Sequence, residues 1–280
     1  MDEPTAIPEK NGTRRLRTLR SAHPDGMAPA KNLQPRAGEN AEVRRIRDEI
    51  GALTMHLHWN GPIVTEVILG LLPRDLDDRP CRLLDLGCGN GEFARRFLER
   101  SPSWQAVCLN VLETHLELAR RRLEPYGDRA AFVARAVEDL PTAEGLGSFS
   151  LITATALLHF IDDADLDPVI AAVHRLLAPG GLFLATQYVA YPAPLASRYQ
   201  HGNAGFQAQV QPQGELKEKV DALKQRQREL QVPGEAVGHQ YRNVLHSPER
   251  LMLACQRAGF ATVDQPWRLY GMVMVAGLRG

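Results

Sequence analysis

Residues 85–91 read Asp-Leu-Gly-Cys-Gly-Asn-Gly, and they follow the apolar run RLLDL directly. Glycines at this density belong where the main chain turns sharply or where a ligand must lie against it. Gly87, Gly89 and Gly91 therefore suit a loop wrapped around a nucleoside with a charged tail, and Asp85 places an acid two residues ahead of the first glycine. The spacing is G-x-G-x-G, which differs from the G-x-G-x-x-G dinucleotide fingerprint. Histidines are the other candidates for chemistry near neutral pH. His159 follows a strand-like run, and His56 and His58 form an H-x-H pair beside Trp59. On a helix the members of such a pair face different ways, so no metal site is expected there. The four cysteines (Cys81, Cys88, Cys108 and Cys255) form no C-x-x-C pair. They suit neither a disulfide framework nor a zinc site, and they fit a reducing cytoplasm.

These residues need elements to position them. A helix is expected over 41–52 and another over 62–72, opened by Pro62 and closed before Pro73. Strands are expected over 82–88, 105–111, 131–135, 149–154 and 181–188, with helices over 91–100, 113–124, 165–178 and 248–258. Strands that alternate with helices of this length imply crossover connections and a parallel sheet. Runs 260–269 and 271–278 meet at Gly271 and should pair as a hairpin, so one strand must run antiparallel. Residues 190–246 break the rhythm. They are polar and carry one clear helix, 215–231, whose Leu216, Val220, Leu223 and Leu230 form a single stripe, expected to lie as a lid over the carboxyl edge of the sheet.

Composition bounds the whole. The chain has 280 residues, with 33 basic and 33 acidic side chains, which argues against a protein that coats nucleic acid. The neutrality is an average: residues 1–47 hold ten basic and six acidic residues, so the head is +4 and the rest −4. Residues 1–40 are too poor in apolar groups to offset ordering entropy and are expected to be a disordered basic tail. No apolar run approaches the roughly 18 residues of a membrane span.

RLLDLGCGNGEF resembles the first motif of class I S-adenosylmethionine-dependent methyltransferases. ELARRRL (117–123), VEDLP (137–141), LLHFIDD (157–163), HRLLAPGGLFLATQ (174–187) and SPERLMLACQRAGF (247–260) resemble later stations of that superfamily in order. The likeness is strongest to members acting on small molecules. It implies a Rossmann-like, doubly wound, mostly parallel α/β sheet of seven strands with an antiparallel terminal strand. It further implies one domain over 41–280, comprising a helical cap (41–75) and a lid insertion (190–246), with S-adenosyl-L-methionine as cofactor. By resemblance, Asp85, Gly87, Cys88, Gly89 and Gly91 hold the amino-acid end of the cofactor. Asn110 and Val111 take the ribose and Val137 and Glu138 the adenine, and Thr155 is a further cofactor-binding residue.

Two positions depart from the superfamily pattern. Asn110 stands where an acid usually takes the ribose hydroxyls, with Glu113 three residues on as a substitute. Arg135-Ala136 stands where many members have Gly-Asp, so the adenine acceptor falls to Glu138, Asp139 or the backbone at Val137. A charge-assisted hydrogen bond is worth roughly 1.5–3 kcal/mol, so each loss weakens binding about tenfold to a hundredfold unless compensated.

His159 is the candidate catalytic base or acceptor-orienting group, the alternative being a packed histidine that covers the cofactor. His56, Trp59, Tyr191, Tyr199, His201 and Tyr241 are the candidate substrate contacts, and His174 is read as structural. The D/N-P-P-Y/F station of base-methylating enzymes is absent, its place being taken by TATA (153–156), so a nucleic-acid partner is not expected. The expected function is O-, N- or C-methylation of a small organic molecule in secondary metabolism, by a cytoplasmic protein compatible with a homodimer. The alternatives are a cyclisation or rearrangement that uses the bound cofactor as a positive charge, and a non-catalytic scaffold.

Overall fold

The computed structural model of the chain describes residues 41–43, 45–46, 49–50, 53, 60–72, 79–191, 193–210, 214–230 and 244–280. The expected tail and the positions His56, His58, Trp59 and Tyr241 lie outside these residues.

The described residues between 41 and 53 are helical, and helix α1 covers Asn60–Leu71. Strand β1 (Arg82–Leu86) leads to α2 (Glu92–Arg100), β2 (Gln105–Asn110), α3 (Glu113–Leu123) and β3 (Ala130–Ala134). Strand β4 (Phe149–Thr155), α4 (Asp163–Leu176) and β5 (Leu177–Tyr188) follow. Two further helices, α5 (Ala196–Val210) and α6 (Glu215–Leu230), precede α7 (Pro248–Ala258) and the hairpin of β6 (Thr262–Leu269) and β7 (Met272–Leu278).

The sheet has seven strands in the order β3-β2-β1-β4-β5-β7-β6. Strands β1 to β5 pair in parallel, and β7 runs antiparallel to both β5 and β6. A central parallel strand is covered on both faces and must be apolar on both. Accordingly Leu83, Leu84 and Leu86 of β1 are fully buried. One face packs Ile152, Ile170, Val173, Phe183 and Leu251, under α4 and α7. The opposite face packs Ile68, Phe97, Trp104, Leu116 and Met274, under α1 to α3.

Helix α7 is bounded as its sequence directs. The Ser247 hydroxyl accepts from the Arg250 amide at 3.2 Å, Pro248 opens the first turn, and Gly259 ends the helix at φ 94°. Arg250 then ties α7 to α4 by reaching Asp163 at 2.8 Å and Asp167 at 2.6 Å.

The segment between β5 and α7 carries two helices where the sequence pattern predicts one. Helix α5 escapes the periodicity because it lacks an apolar stripe and contains Gly202 and Gly205. Gly202 has a tertiary reason: a Cβ there would come within 2.8 Å of the Tyr270 ring. Helix α6 buries Val220 and reaches the N-terminal helical residues through Arg226–Glu42 at 3.4 Å and Lys219–Glu49 at 3.6 Å. Strand β5 also starts earlier than expected, at Leu177, because Leu177 already pairs with Phe149 across an irregularity in the β4–β5 ladder. No described helix is long and apolar enough to cross a membrane.

Candidate functional site

Strand β1 ends at Leu86, and the next residues form a loop whose three glycines are all left-handed: Gly87 at φ 67°, Gly89 at 54° and Gly91 at 76°. The Cys88 amide donates to Leu109 O at 3.1 Å, which ties the loop to β2, and the Gly91 amide donates to Cys88 O at 3.0 Å. The glycines have separate tasks. A Cβ on Gly87 would lie 2.9 Å from Leu157, so this glycine lets the loop after β4 close over the loop after β1. A Cβ on Gly91 would lie 3.0 Å from Ala119 Cβ and 3.2 Å from its Cα, so Gly91 also serves the close packing of α2 on α3. Cys88 is buried, and the adjoining Cys108 thiol together with burial pushes its pKa well above the ordinary thiol value.

Asp85 lies at the base of this loop, 2% exposed. Its Oδ1 accepts from the Thr153 hydroxyl at 2.8 Å, across the β1–β4 register that pairs the two residues. Burial raises its pKa to about 7, against the lowering effect of the Thr153 bond. Among the described residues no cation pairs with it. A buried carboxylate without a counter-ion is costly, and a cationic ligand is what would complete it.

Asn110 ends β2 and is buried. Its Oδ1 accepts from the Leu112 amide at 2.9 Å and its main-chain oxygen from the Arg135 amide at 3.0 Å, so it organises the turn into α3. Val111 is half-buried beside it. After β3, Val137 is buried at the start of a 3-10 turn over Val137–Thr142. Burial also raises the pKa of Glu138, helped by the nearby Asp165, Asp139 and Asp162.

The carboxyl ends of β4 and β5 carry a second cluster. Thr155 and Thr186 are register partners, and Ala156 adopts φ 50°, a strained value for a residue with a side chain. Thr155 Oγ1, Thr186 Oγ1, both amide atoms of Gln187 and His159 Nδ1 are buried without a hydrogen-bond partner among the described residues. Native interiors leave few such groups, and each demands an explanation. His159 is 4% exposed, and burial depresses its pKa to about 4. The Gln187 amide lies beside the imidazole without a hydrogen bond of ordinary geometry. The His159 ring packs on Phe160 at 4.0 Å and edge-on to Tyr188 at 5.3 Å. His246 faces the same region. Its Nε2 is 3.0 Å from Ile161 O, and the adjoining Val244 amide donates to His159 O at 2.7 Å.

Of the expected substrate contacts, Tyr191 lines a cavity beyond β5, together with Tyr188, Asn203 and Met272. Tyr199 instead packs edge-on between Tyr191 at 6.0 Å and Tyr270 at 6.4 Å, and His201 is exposed on α5. His174 packs against Phe260 at 4.9 Å on the α4 side of the sheet, away from the cluster. The pattern overlooked Gln187, Asn203 and His246. Gln187 has a signal in hindsight, a polar pair (Thr186-Gln187) at the end of an otherwise apolar strand; Asn203 and His246 have none.

Residues 83–181 match a protein-family profile described as "Methyltransferase domain". A demethylmenaquinone methyltransferase of Thermus thermophilus is 30% identical over 113 residues, which is 40% of this chain and 50% of that protein. A malonyl-[acyl-carrier protein] O-methyltransferase of Geobacter sulfurreducens is 35% identical over 120 residues, 43% of each. The matched stretch thus spans about half the length of these curated relatives. Among solved structures, an O-methyltransferase family 2 protein of Planctomyces limnophilus in complex with apigenin superposes with a TM-score of 0.55 at 16% identity, covering 88% of this chain and 63% of that one. Human N-acetylserotonin methyltransferase in complex with SAM gives 0.54 at 14% identity, covering 86% and 57%. These structural likenesses speak to the fold, and that fold is the seven-stranded sheet described above. With the glycine loop, the sheet order and the matched domain together, residues 83–181 are similar to a methyltransferase domain, and the sheet around them has the Rossmann-like fold of S-adenosylmethionine-dependent methyltransferases.

Proposed function

We propose that this protein transfers a methyl group from S-adenosyl-L-methionine to oxygen, nitrogen or carbon of a small organic molecule, in secondary metabolism. The observation that carries the reading is Asp85: a buried carboxylate with no cation partner among the described residues, set at the base of a left-handed glycine loop. The cofactor's ammonium supplies the missing charge, so the donor set fits the group. Asp85 and the Gly87–Gly91 backbone would hold the amino-acid end. Asn110 and Val111 would take the ribose, and Val137 and Glu138 the adenine.

When bound, the cofactor supplies an electrophilic sulfonium methyl, which leaves the protein to align the acceptor, exclude water and manage a proton. Leu157 over Gly87, the covered hydroxyl of Thr155 and the buried Thr186 and Gln187 make the β4–β5 edge a dry site. His159 is neutral at physiological pH, because burial holds its pKa near 4. That supports a role in accepting a hydrogen bond from the acceptor and orienting it, more than one as a strong base. Helices α5 and α6, with the N-terminal helical residues, would act as cap and lid.

Two measurements test the proposal. Isothermal titration should detect S-adenosylhomocysteine binding that Asp85→Asn weakens. Mass spectrometry of reactions with S-adenosylmethionine and a panel of small acceptors should find products heavier by one methylene. An Asp85→Asn variant that binds as tightly as the wild type would remove the proposal's basis.

A further inference from the structure

Beyond the end of β5 lies a cavity of about 260 Å³ whose lining includes Tyr188, Tyr191, Asn203, Leu245 and Met272. Among the described residues, none that lines it carries a charge. Leu245 is 47% exposed and marks the mouth. Asn203 Oδ1 is fully covered yet has no hydrogen-bond partner among the described residues. An unpaired buried amide oxygen is costly, and a donor on an occupant would remove the cost.

The walls are built rather than incidental. Gly271 lacks the Cβ that would come within 2.9 Å of the Tyr191 ring, so this tyrosine lies flat against the hairpin turn. Gly202 does the same for the Tyr270 ring, where a Cβ would approach to 2.8 Å. Tyr199 packs edge-on to both Tyr191 and Tyr270, and this aromatic ladder fixes α5 and with it Asn203, the residue after Gly202. Tyr188 connects the cavity to the candidate reaction centre, because its ring also packs on His159 at 5.3 Å. Strand β5 stands two places from β1 in the sheet, a separation of roughly 10 Å at about 4.8 Å per strand. An occupant can therefore reach from Asn203 past Tyr188 toward the loop after β1.

We propose that this cavity seats the methyl acceptor and selects an uncharged molecule with a flat, largely apolar body and a hydroxyl that donates to Asn203 Oδ1, the reacting atom lying at the His159 end. The inference rests on the reading of the chain as a methyltransferase and narrows its substrate class. A carboxylate acceptor would leave its hydration shell for a lining with no cation among its described residues, which the geometry disfavours.

The test is calorimetric and does not depend on turnover. The protein is saturated with S-adenosylhomocysteine and titrated near neutral pH with 2-naphthol and with 2-naphthoate, which share a ring system and differ in charge. The naphthol should bind at least about tenfold more tightly than the naphthoate. Asn203→Leu should weaken naphthol binding about fivefold to tenfold and leave S-adenosylhomocysteine affinity unchanged. Should that variant fail to fold, Gly271→Ala, which displaces the Tyr191 ring, should weaken the naphthol in the same way. Equal binding of the two probes, no effect of either variant, or no heat from either probe while S-adenosylhomocysteine binds would overturn the inference and leave the cofactor site standing. Failure of S-adenosylhomocysteine itself to bind would instead overturn the methyltransferase reading beneath it.

Discussion

Lowering the pH from about 8 to about 6 should weaken S-adenosylhomocysteine binding about tenfold, through one proton on Asp85. The carboxyl is buried, it accepts from the Thr153 hydroxyl with no cation partner among the described residues, and its pKa is raised to about 7. A ligand ammonium beside it favours the ionised form, so binding must expel the proton wherever the free protein holds it. With a pKa of about 7, the ionised fraction falls from about nine-tenths at pH 8 to about one-tenth at pH 6, which gives the tenfold loss. Cys88, the neighbouring thiol, is held well above its ordinary value and stays neutral throughout this window. His159 titrates near 4 and lies below it. The same shift makes a stability statement. A carboxyl whose folded pKa is raised contributes stability that is fully present below the unfolded value near 3.8 and is lost as pH rises through about 7. Asp85→Asn should thus stabilise the ligand-free protein at pH 8, by at most about 4 kcal/mol, while weakening ligand binding about tenfold to a hundredfold. Calorimetry in buffers of different ionisation enthalpy reads the proton directly, with release of about 0.9 proton expected at pH 6 and about 0.1 at pH 8. A pH-independent affinity, or the same slope in Asp85→Asn, would refute the reasoning.

Three further outcomes follow from the same geometry. Asn110→Asp should tighten S-adenosylhomocysteine binding by up to about tenfold, because one carboxylate oxygen can keep the bond to the Leu112 amide while the other serves the ribose; equal or weaker binding in a titration contradicts this. Gly91→Ala should lower stability by about 1–3 kcal/mol, since it combines a left-handed φ with a Cβ 3.0 Å from Ala119, and denaturant unfolding reads the loss. The depressed pKa of His159 means its neutral form is favoured on folding, so its contribution is present above pH 6.5 and is lost as pH falls toward 4. A His159→Gln variant should flatten the acid limb of the stability profile in that window, and an unchanged limb would assign it to other groups.

The glycine loop was legible because its chemistry is local: a strand, three glycines and an acid within ten residues. The alternation of strands and helices was legible for the same reason, since each element carries its own period. The terminal hairpin followed from two strand-like runs that meet at Gly271, although its insertion of β7 between β5 and β6 is a long-range fact. The limits of the pattern lie where tertiary contact decides. Helix α5 owes its place to Tyr270 and Tyr199, residues about seventy positions away and within the helix itself, so no amphipathic stripe announces it. Gln187 and Asn203 are ordinary polar residues in sequence and become notable once their amide atoms are seen to be covered and unpaired. Asn110 was legible as a departure from the superfamily pattern, but its use of Oδ1 in the turn to Leu112 was not.

The most direct test of the central claim is a crystal structure of the protein with S-adenosylhomocysteine. The account predicts the ligand's amino-acid end against the Gly87–Gly91 backbone with its ammonium toward Asp85, and its sulfur facing the His159 and Gln187 edge. A ligand bound elsewhere, or lying in this cleft with its ammonium turned away from Asp85, would contradict it.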